Sequence, residues 1–260
     1  MNKSLNGLGI ALTRPYHQTQ SLRESIEQIG GSVFLFPLLD ILPQNDPSLA
    51  EIFKQVSSMS AIIFSSPNAV SHSMRFFQTR PNCSIFAIGS GTQTALNNAG
   101  FSKIIRPKSF NSEGVLDLPE LAEVNNKNIL LIRGIGGRTL LAETLRKRGA
   151  CVYEAAVYER RAIDPGIEQL RHHLEVKRIQ IIACTSEEAL EHLVTLAKLH
   201  GAWVLLKHVF LLVSSERLAE VARRNGLNRL IMAKDASDAS ILDALIHHHR
   251  QGRDQTSSLS

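Results

Sequence analysis

Hydroxyl-bearing, small and basic residues repeatedly follow short β-branched runs in this chain. Hydroxyls, main-chain amides and guanidinium groups bind carboxylates and phosphates well, and glycine lets the main chain approach a ligand closely. The pattern indicates a binding site for an anionic molecule. The candidate binding residues are Arg14, Ser65, Ser66, Asn68, Gly91, Thr92, Ser112, Arg133, Gly134, Gly136, Gly137, Arg138, Thr185, Ser186, Ser215 and Arg217.

Each of these residues, taken singly, also has a structural explanation. Ser, Thr and Asn are preferred at helix N-termini, where their side chains accept hydrogen bonds from main-chain N–H groups. Helix capping and ligand binding therefore both stay open for any one position. The collective pattern favours a ligand, because two domains would present six such helix ends.

The segment from Gly134 to Gly137 is also similar to a dinucleotide-binding loop, with Glu154 placed 20 residues after Gly134 as a ribose-binding acid would be. The third glycine of the GxGxxG pattern is absent, because Thr139 occupies its position. An enzyme that uses a nucleotide or sugar phosphate stays as an alternative. No Walker loop, HExxH motif or nucleophile elbow occurs, so catalysis would depend on positioning and electrostatics.

The cysteines and histidines do not indicate a metal site. Cys83, Cys151 and Cys184 are far apart and lack zinc-site spacing, so we expect buried free thiols. The adjacent histidines 247–249 would point in different directions from one helix, which favours a solvated helix end. We expect no metal and no organic cofactor.

The charge balance suits a small anionic partner. The chain has 29 basic and 24 acidic residues, a net charge of +5, and only 5% Phe, Trp and Tyr. Few aromatic residues could stack on bases, which disfavours nucleic acid. No apolar run approaches the ~20 residues of a membrane span, and residues 8–12 are too short for a signal-peptide core. We therefore expect a cytoplasmic monomer with no membrane partner.

The chain contains two copies of one pattern. Residues 12–14 match residues 131–133 at a separation of 119 positions, and residues 62–70 match residues 182–190 at a separation of 120. Each copy reads as a strand, a helix, a glycine and a second strand. The separation far exceeds a solenoid repeat and indicates two domain-sized copies. Taken alone, the repeat favours two tandem halves.

Strands that alternate with helices predict parallel sheets covered by helices on both faces. The predicted strands are Gly9–Thr13, Val33–Phe36, Ala61–Phe64, Ile85–Ile88, Ile129–Ile132, Ile179–Ala183 and Val209–Val213. The predicted helices are Ser21–Gln28, Glu51–Val56, Ala69–Phe77, Thr92–Asn98, Leu140–Arg148, Glu188–Lys198, Arg217–Arg224 and Ile241–His248.

The order of motifs resembles that of the uroporphyrinogen-III synthase family, over nearly the whole chain to about Leu245. The motifs that carry the resemblance are Leu12–Pro15, Phe36–Ile41, Phe64–Val70, Ala87–Thr92, Ser112–Leu116, Arg133–Arg138, Val157–Arg160, Thr185–Ser186 and Ser215–Ala219.

The resemblance implies an α/β fold of two similar parallel-sheet, three-layer domains, joined by a two-stranded linker with a cleft between them. The first domain would be discontinuous. The expected ranges are 1–36 with 163–250 for the first domain, 44–151 for the second, 37–43 and 152–162 for the linker strands, and 251–260 for a disordered tail.

The resemblance further implies closure of hydroxymethylbilane to uroporphyrinogen III, with inversion of ring D and loss of water, in haem biosynthesis. Tyr158 matches the family's tyrosine that is offered as a proton donor; packing at a domain edge is its other interpretation. Ser66 and Thr92 match hydroxyls that line the family's cleft. The second copy departs from the pattern, since Glu187-Glu188 replaces Pro67-Asn68. The alternative function is a non-catalytic two-domain binding protein for an anionic metabolite.

Overall fold

The computed structural model describes residues 4–257. They form two α/β units, each built on a sheet whose strands are mainly parallel. The first unit consists of two segments of the chain, one that ends at Asp40 and one that begins at Arg161. The second unit consists of Ile41–Arg160. The strands are β1 Gly9–Leu12, β2 Ser32–Leu35, β3 Leu39–Pro43, β4 Ala61–Phe64, β5 Ser84–Ala87, β6 Ile104–Ile105, β7 Asn128–Gly134, β8 Cys151–Ala162, β9 Ile181–Ala183, β10 Phe210–Val213 and β11 Leu230–Met232.

The α-helices follow the strands in alternation, as the periodicity predicts. They are α1 Gln20–Gln28, α2 Pro47–Lys54, α3 Pro67–Ser73, α4 Ser90–Asn98, α5 Ser112–Leu116, α6 Leu140–Lys147, α7 Ile167–Glu175, α8 Glu187–Leu199, α9 Trp203–Leu206, α10 Glu216–Arg224 and α11 Asp238–Ser257. Among residues 4–257, none of these helices combines the length and the apolar character that crossing a membrane requires.

The first unit is a three-layer structure around the sheet β2-β1-β9-β10-β11. Successive residues of β1 serve opposite faces, because side chains alternate along a strand. Ala11 joins a core with α7, α8 and α10, whereas Ile10 and Leu12 join a core with α1 and α11. Both faces of the sheet are therefore covered by helices.

The second unit has the sheet order β3-β8-β7-β4-β5-β6. One face packs on α2, α3 and α4, through side chains such as Phe64 and Ile132. The other packs on α5 and α6, through Ile63 and Leu131. This unit is also a three-layer structure, which agrees with the α/β prediction.

The internal repeat is visible in the two sheets. The strands β8-β7-β4-β5-β6 of the second unit have the same spatial order as β2-β1-β9-β10-β11 of the first. Their order along the chain differs, because β1 and β2 open the first unit, whereas β7 and β8 close the second. Tandem halves would require β1 to pair with β4, but β1 pairs in parallel with β2 and β9. The two units are thus circular permutations of one another, although the two sequence copies run in the same order.

The strands β3 and β8 are neighbours and run in opposite directions. The Gln44 N–H donates to the Val157 carbonyl over 2.9 Å, and the Ile163 N–H donates to the Leu38 carbonyl over 3.1 Å. The limits of the two units fall within these two strands.

Several short elements escape the sequence patterns. The two- and three-residue strands β6 and β11 and the short helices α5 and α9 are absent from the predicted set, since short segments carry little periodicity. The nine-residue helix α7 was also not predicted, and its length does not explain this. Helix α11 continues to Ser257, so seven residues of the tail expected to be disordered are helical. No proline interrupts this segment, and glutamine and arginine favour helices. Residues 258–260 lie outside the described residues.

Candidate active site

A cavity lies at the carboxyl ends of β4 and β7 in the second unit. The helix after β7 packs on one face of the sheet and the helix after β4 packs on the other, so a crevice opens where the two connections diverge. Ligands of open parallel sheets bind at such points. The cavity measures about 290 Å³ and is lined by Ser65, Ser66, Ile88, Ser112, Leu131, Arg133, Gly137, Arg138, Leu141 and Arg160.

Tyr158 lies behind this cavity rather than in its lining. The phenol is 1% exposed, and its hydroxyl lies 3.0 Å from Ser66 Oγ. The Arg160 Nη2 donates to the phenol oxygen over 3.2 Å, and the ring stacks on His72 with 5.8 Å between centroids. Ser66 and Arg160 line the cavity, so the phenol contacts two groups that can reach a ligand.

Gly134 allows the tyrosine ring to pack against β7. A Cβ at this position would lie 2.6 Å from Tyr158 Cζ and 3.0 Å from its hydroxyl oxygen. Real Cβ atoms do not approach other heavy atoms this closely. The glycine that the sequence offers as a ligand-binding position therefore has a packing role toward Tyr158.

Arg133 is anchored by its own loop and by the neighbouring strand. Its Nη1 pairs with Glu154 Oε2 at 2.8 Å, and its side chain is 12% exposed. The guanidinium also donates to the carbonyl of Gly137 and, over 3.3 Å, to that of Gly134. Arg133 thus stabilises the glycine loop, although it also forms part of the cavity wall.

Arg138 is the more accessible arginine of the loop. It is 57% exposed and pairs with Glu113 at 2.6 Å. The hydrogen bond from this guanidinium holds the pKa of Glu113 below its usual value. The salt bridge connects the loop after β7 with α5, where Ser112 lies in the cavity wall.

Asn68, Gly91, Thr92 and Gly136, the other candidates of the second unit, are not among the residues that line this cavity. Asn68 is in the first turn of α3, and Thr92 is buried in α4 at 3% exposure. Gly91 lies at the start of α4, where a Cβ would be 3.5 Å from Pro67. Gly136 is exposed with φ of +74°, a left-handed conformation that favours glycine.

The first unit repeats the arginine arrangement at the equivalent position. Arg14 pairs with Asp238 at 2.7 Å and is 12% exposed. It also donates to Thr185 Oγ1 over 3.3 Å and to the Ala236 carbonyl. Like Arg133, Arg14 joins the end of its strand to neighbouring segments of its own unit.

The remaining candidates of the first unit have local partners. Ser186 Oγ accepts from Ala189 N–H at 3.2 Å and caps α8. Ser215 Oγ accepts from Leu218 N–H at 3.3 Å and caps α10. Arg217 is 73% exposed and pairs with Glu187 at 3.0 Å. Capping thus accounts for both serines, and their contact with a ligand stays a prediction.

Arg160 is the functional candidate that sequence reasoning missed. A usable signal was present, because residues two apart on a strand project to the same face. Tyr158 and Arg160 have this spacing on β8, and the basic side chain comes to lie against the phenol.

Cys184 is a buried free thiol, as expected, whereas Cys151 and His248 take environments different from those expected. Cys151 is exposed, because it opens β8 before the strand enters the core, whereas burial raises the pKa of Cys184 to about 11. His248 is half-buried and packs on Phe210, with 4.2 Å between ring centroids, whereas His247 is exposed. Within the described part of the chain, no three His, Cys, Asp or Glu side chains are grouped to hold a metal.

Two solved structures share this fold. The uroporphyrinogen III synthase of the extremely thermophilic bacterium Thermus thermophilus, in a mutant form, superposes with a TM-score of 0.65 at 18% identity, covering 94% of this chain and 99% of that one. The uroporphyrinogen-III synthetase of Helicobacter pylori 26695 gives a TM-score of 0.55 at 16% identity, covering 91% and 97%. At these identities the likeness shows the fold alone.

Comparison of the sequence with a family model and with related proteins shows which family the chain belongs to. The family model described as "Uroporphyrinogen-III synthase HemD" matches residues 20–243. The uroporphyrinogen-III synthase of Escherichia coli (strain K12) is 32% identical over 249 residues, which cover 92% of this chain and 100% of that protein. That of Proteus mirabilis is 34% identical over 168 residues, which cover 60% and 82%. Since the family model spans most of the chain and one relative is matched end to end, the chain belongs to the uroporphyrinogen-III synthase family.

Proposed function

We propose that this protein is a uroporphyrinogen-III synthase that closes hydroxymethylbilane to uroporphyrinogen III, with inversion of ring D and loss of water. The match of the family model over residues 20–243 carries this proposal. The reaction needs no metal or organic cofactor in this proposal. We also expect the protein to act as a monomer in the cytoplasm.

The cavity of the second unit suits a substrate that combines apolar pyrrole rings with carboxylate side chains. Arg138 and Arg160 are exposed basic groups at its wall, while Ile88, Leu131 and Leu141 supply apolar surface. Arg138 and Arg160 are proposed to bind carboxylates, since guanidinium groups match carboxylate geometry. Arg133, like Arg138, is paired with a carboxylate, but its side chain is only 12% exposed, so it is proposed to hold the loop in place.

The chemical step begins when the hydroxymethyl group loses its oxygen as water, which leaves a cationic azafulvene. Proton donation to the departing oxygen assists this loss, and the phenol of Tyr158 is proposed to supply the proton. The cation must then be attacked by the substituted position of ring D rather than by its free position. Holding the chain in the bent conformation that permits this attack is the main task of the binding groups.

The isomer of the product tests this function. Hydroxymethylbilane with the protein should give the type III isomer, whereas buffer alone should give type I, and chromatography of the oxidised porphyrins separates the two. Equal isomer ratios with and without the protein would overturn the assignment, and binding without a change of isomer would favour the non-catalytic binding protein. Tyr158→Phe should slow turnover by roughly ten- to a hundredfold; an unchanged rate would remove the phenol from the mechanism.

A further inference from the structure

The buried position of Tyr158 limits how its proton can leave. The side chain is 1% exposed, and its hydroxyl has two neighbours that line the cavity, Ser66 and Arg160. A guanidinium carries only hydrogen-bond donors and accepts no proton. Of these two neighbours, therefore, only Ser66 can accept the proton of the phenol.

The hydrogen bonds around Ser66 allow the phenol to donate to the serine. Arg160 donates to the phenol oxygen, and Ser66 Oγ, 3.0 Å from that oxygen, is placed to accept the phenol proton. Ser66 Oγ also accepts from the Ala69 N–H at 3.0 Å, as the N-cap of α3. A hydroxyl has two acceptor sites and one proton. With both acceptor sites occupied by these bonds, the serine proton can point into the cavity.

We infer that Ser66 is a further catalytic residue, which relays the proton of Tyr158 to the substrate. This inference rests on the proposed function. Ser66 Oγ gives its proton to the hydroxymethyl oxygen as the carbon–oxygen bond breaks, and the electron pair leaves with the water formed. In the same step Ser66 takes the phenol proton, so its hydroxyl is restored. The positive charge of Arg160 faces the phenolate that is left.

The proton balance closes at the end of the reaction. Attack by the substituted carbon of ring D gives a spiro intermediate, in which the original bond from that carbon to the methylene of the preceding ring then breaks. This methylene bonds to the free position of ring D, which closes the macrocycle with ring D inverted, and the free position loses its ring proton to restore aromaticity. That proton returns through Ser66 to the phenolate, and no other co-reactant is needed. The net change is hydroxymethylbilane to uroporphyrinogen III plus water.

The test must separate the relay from the capping role of Ser66. Replacing a serine N-cap by alanine destabilises the helix, whereas replacing it by glycine has a much smaller effect. Ser66→Gly therefore removes the hydroxyl with little loss of helix stability, and Ser66→Thr retains both functions. Asp46→Ala is the matched control, because Asp46 caps α2 in the same unit through the Ser48 N–H. This control should lower stability and leave turnover unchanged.

Two residues that act in series should show non-additive effects. Ser66→Gly and Tyr158→Phe should each slow formation of the type III isomer by roughly ten- to a hundredfold, and Ser66→Thr should stay within about threefold of wild type. The double variant should be no slower than the slower single variant. A double variant slowed by the product of the two factors, or a Ser66→Gly rate within twofold of wild type, would overturn the relay.

Solvent isotope effects give a readout that a structural role would not move. In single-turnover reactions across mixtures of light and heavy water, two protons in flight give a curved dependence for the wild type. A straight line would overturn the relay. Failure of the proposed function is distinguishable, because the wild type would then form no type III isomer at all.

Discussion

Gly134→Ala tests whether close packing on β7 sets the position of the phenol. Gly134 does not have a positive φ, so alanine is compatible with its backbone. The perturbation is therefore steric. The added carbon would lie 2.6 Å from Tyr158 Cζ, 2.7 Å from Cε2 and 3.0 Å from the hydroxyl oxygen.

The size of the effect follows from these distances. Carbon atoms pack comfortably at roughly 3.5–4.0 Å, so the ring must retreat by about 1 Å. Pivoting about the hydroxyl does not relieve the clash, because the oxygen is itself too close. A shift of this size takes the 3.0 Å contact with Ser66 out of hydrogen-bonding range. A misplacement of about 1 Å can cost 100-fold in rate, so we expect a loss of roughly ten- to a hundredfold.

Stability should fall as well. Overpacking a core costs about 1–3 kcal/mol, and each kcal/mol lowers Tm by about 2–4 °C for a chain of this size. Gly91→Ala is the stability control, because its added carbon would lie 3.5 Å from Pro67, an ordinary contact. Its free energy of unfolding in urea should not decrease.

The assay combines single-turnover formation of the type III isomer with urea unfolding, in wild-type and Tyr158→Phe backgrounds. In the phenylalanine background the ring still clashes with the added methyl group, so the stability cost should persist. The rate cost should vanish, because no phenol is left to displace. An equal rate loss in both backgrounds would refute this reasoning, as would wild-type turnover in Gly134→Ala itself.

Two further predictions concern the first unit. Arg14→Met removes a 12%-exposed guanidinium bonded to Asp238 and Thr185, and should lower the free energy of unfolding by about 1.5–3 kcal/mol in urea; a change below about 0.5 kcal/mol would contradict the anchoring role. The pKa of His248 is lowered mainly by its partial burial, where it packs on Phe210, and secondly by the positive charge of the nearby His249. The unfolded chain then takes up this proton first, so stability should fall as pH drops below the ordinary value of about 6.5. Tm measured from pH 7.5 to 5.5 should show this decrease, and His248→Gln should flatten it; an identical slope in the variant would argue against His248.

Part of the cavity lining could be predicted from the sequence. Ser65, Ser66 and Arg138 do come to one cavity wall, since the carboxyl ends of parallel strands share one edge. The ion pairs that anchor Arg14 and Arg133 could not be predicted. Asp238 lies far from Arg14 along the chain, and nothing in the sequence around Glu154 marks it as the partner of Arg133. An arginine after a strand suggests a ligand until its partner is known.

The sequence by itself determined the alternation of strands and helices and the hydroxyl groups at strand ends. It also displayed the duplication and the family resemblance. These properties depend on neighbouring residues or on the order of motifs, which the chain displays directly. The tertiary structure decided that β1 pairs with β9 rather than β4, and that Tyr158 lies buried against Ser66, 92 positions away. Such contacts depend on strand order and on the packing of distant segments, which local periodicity does not encode.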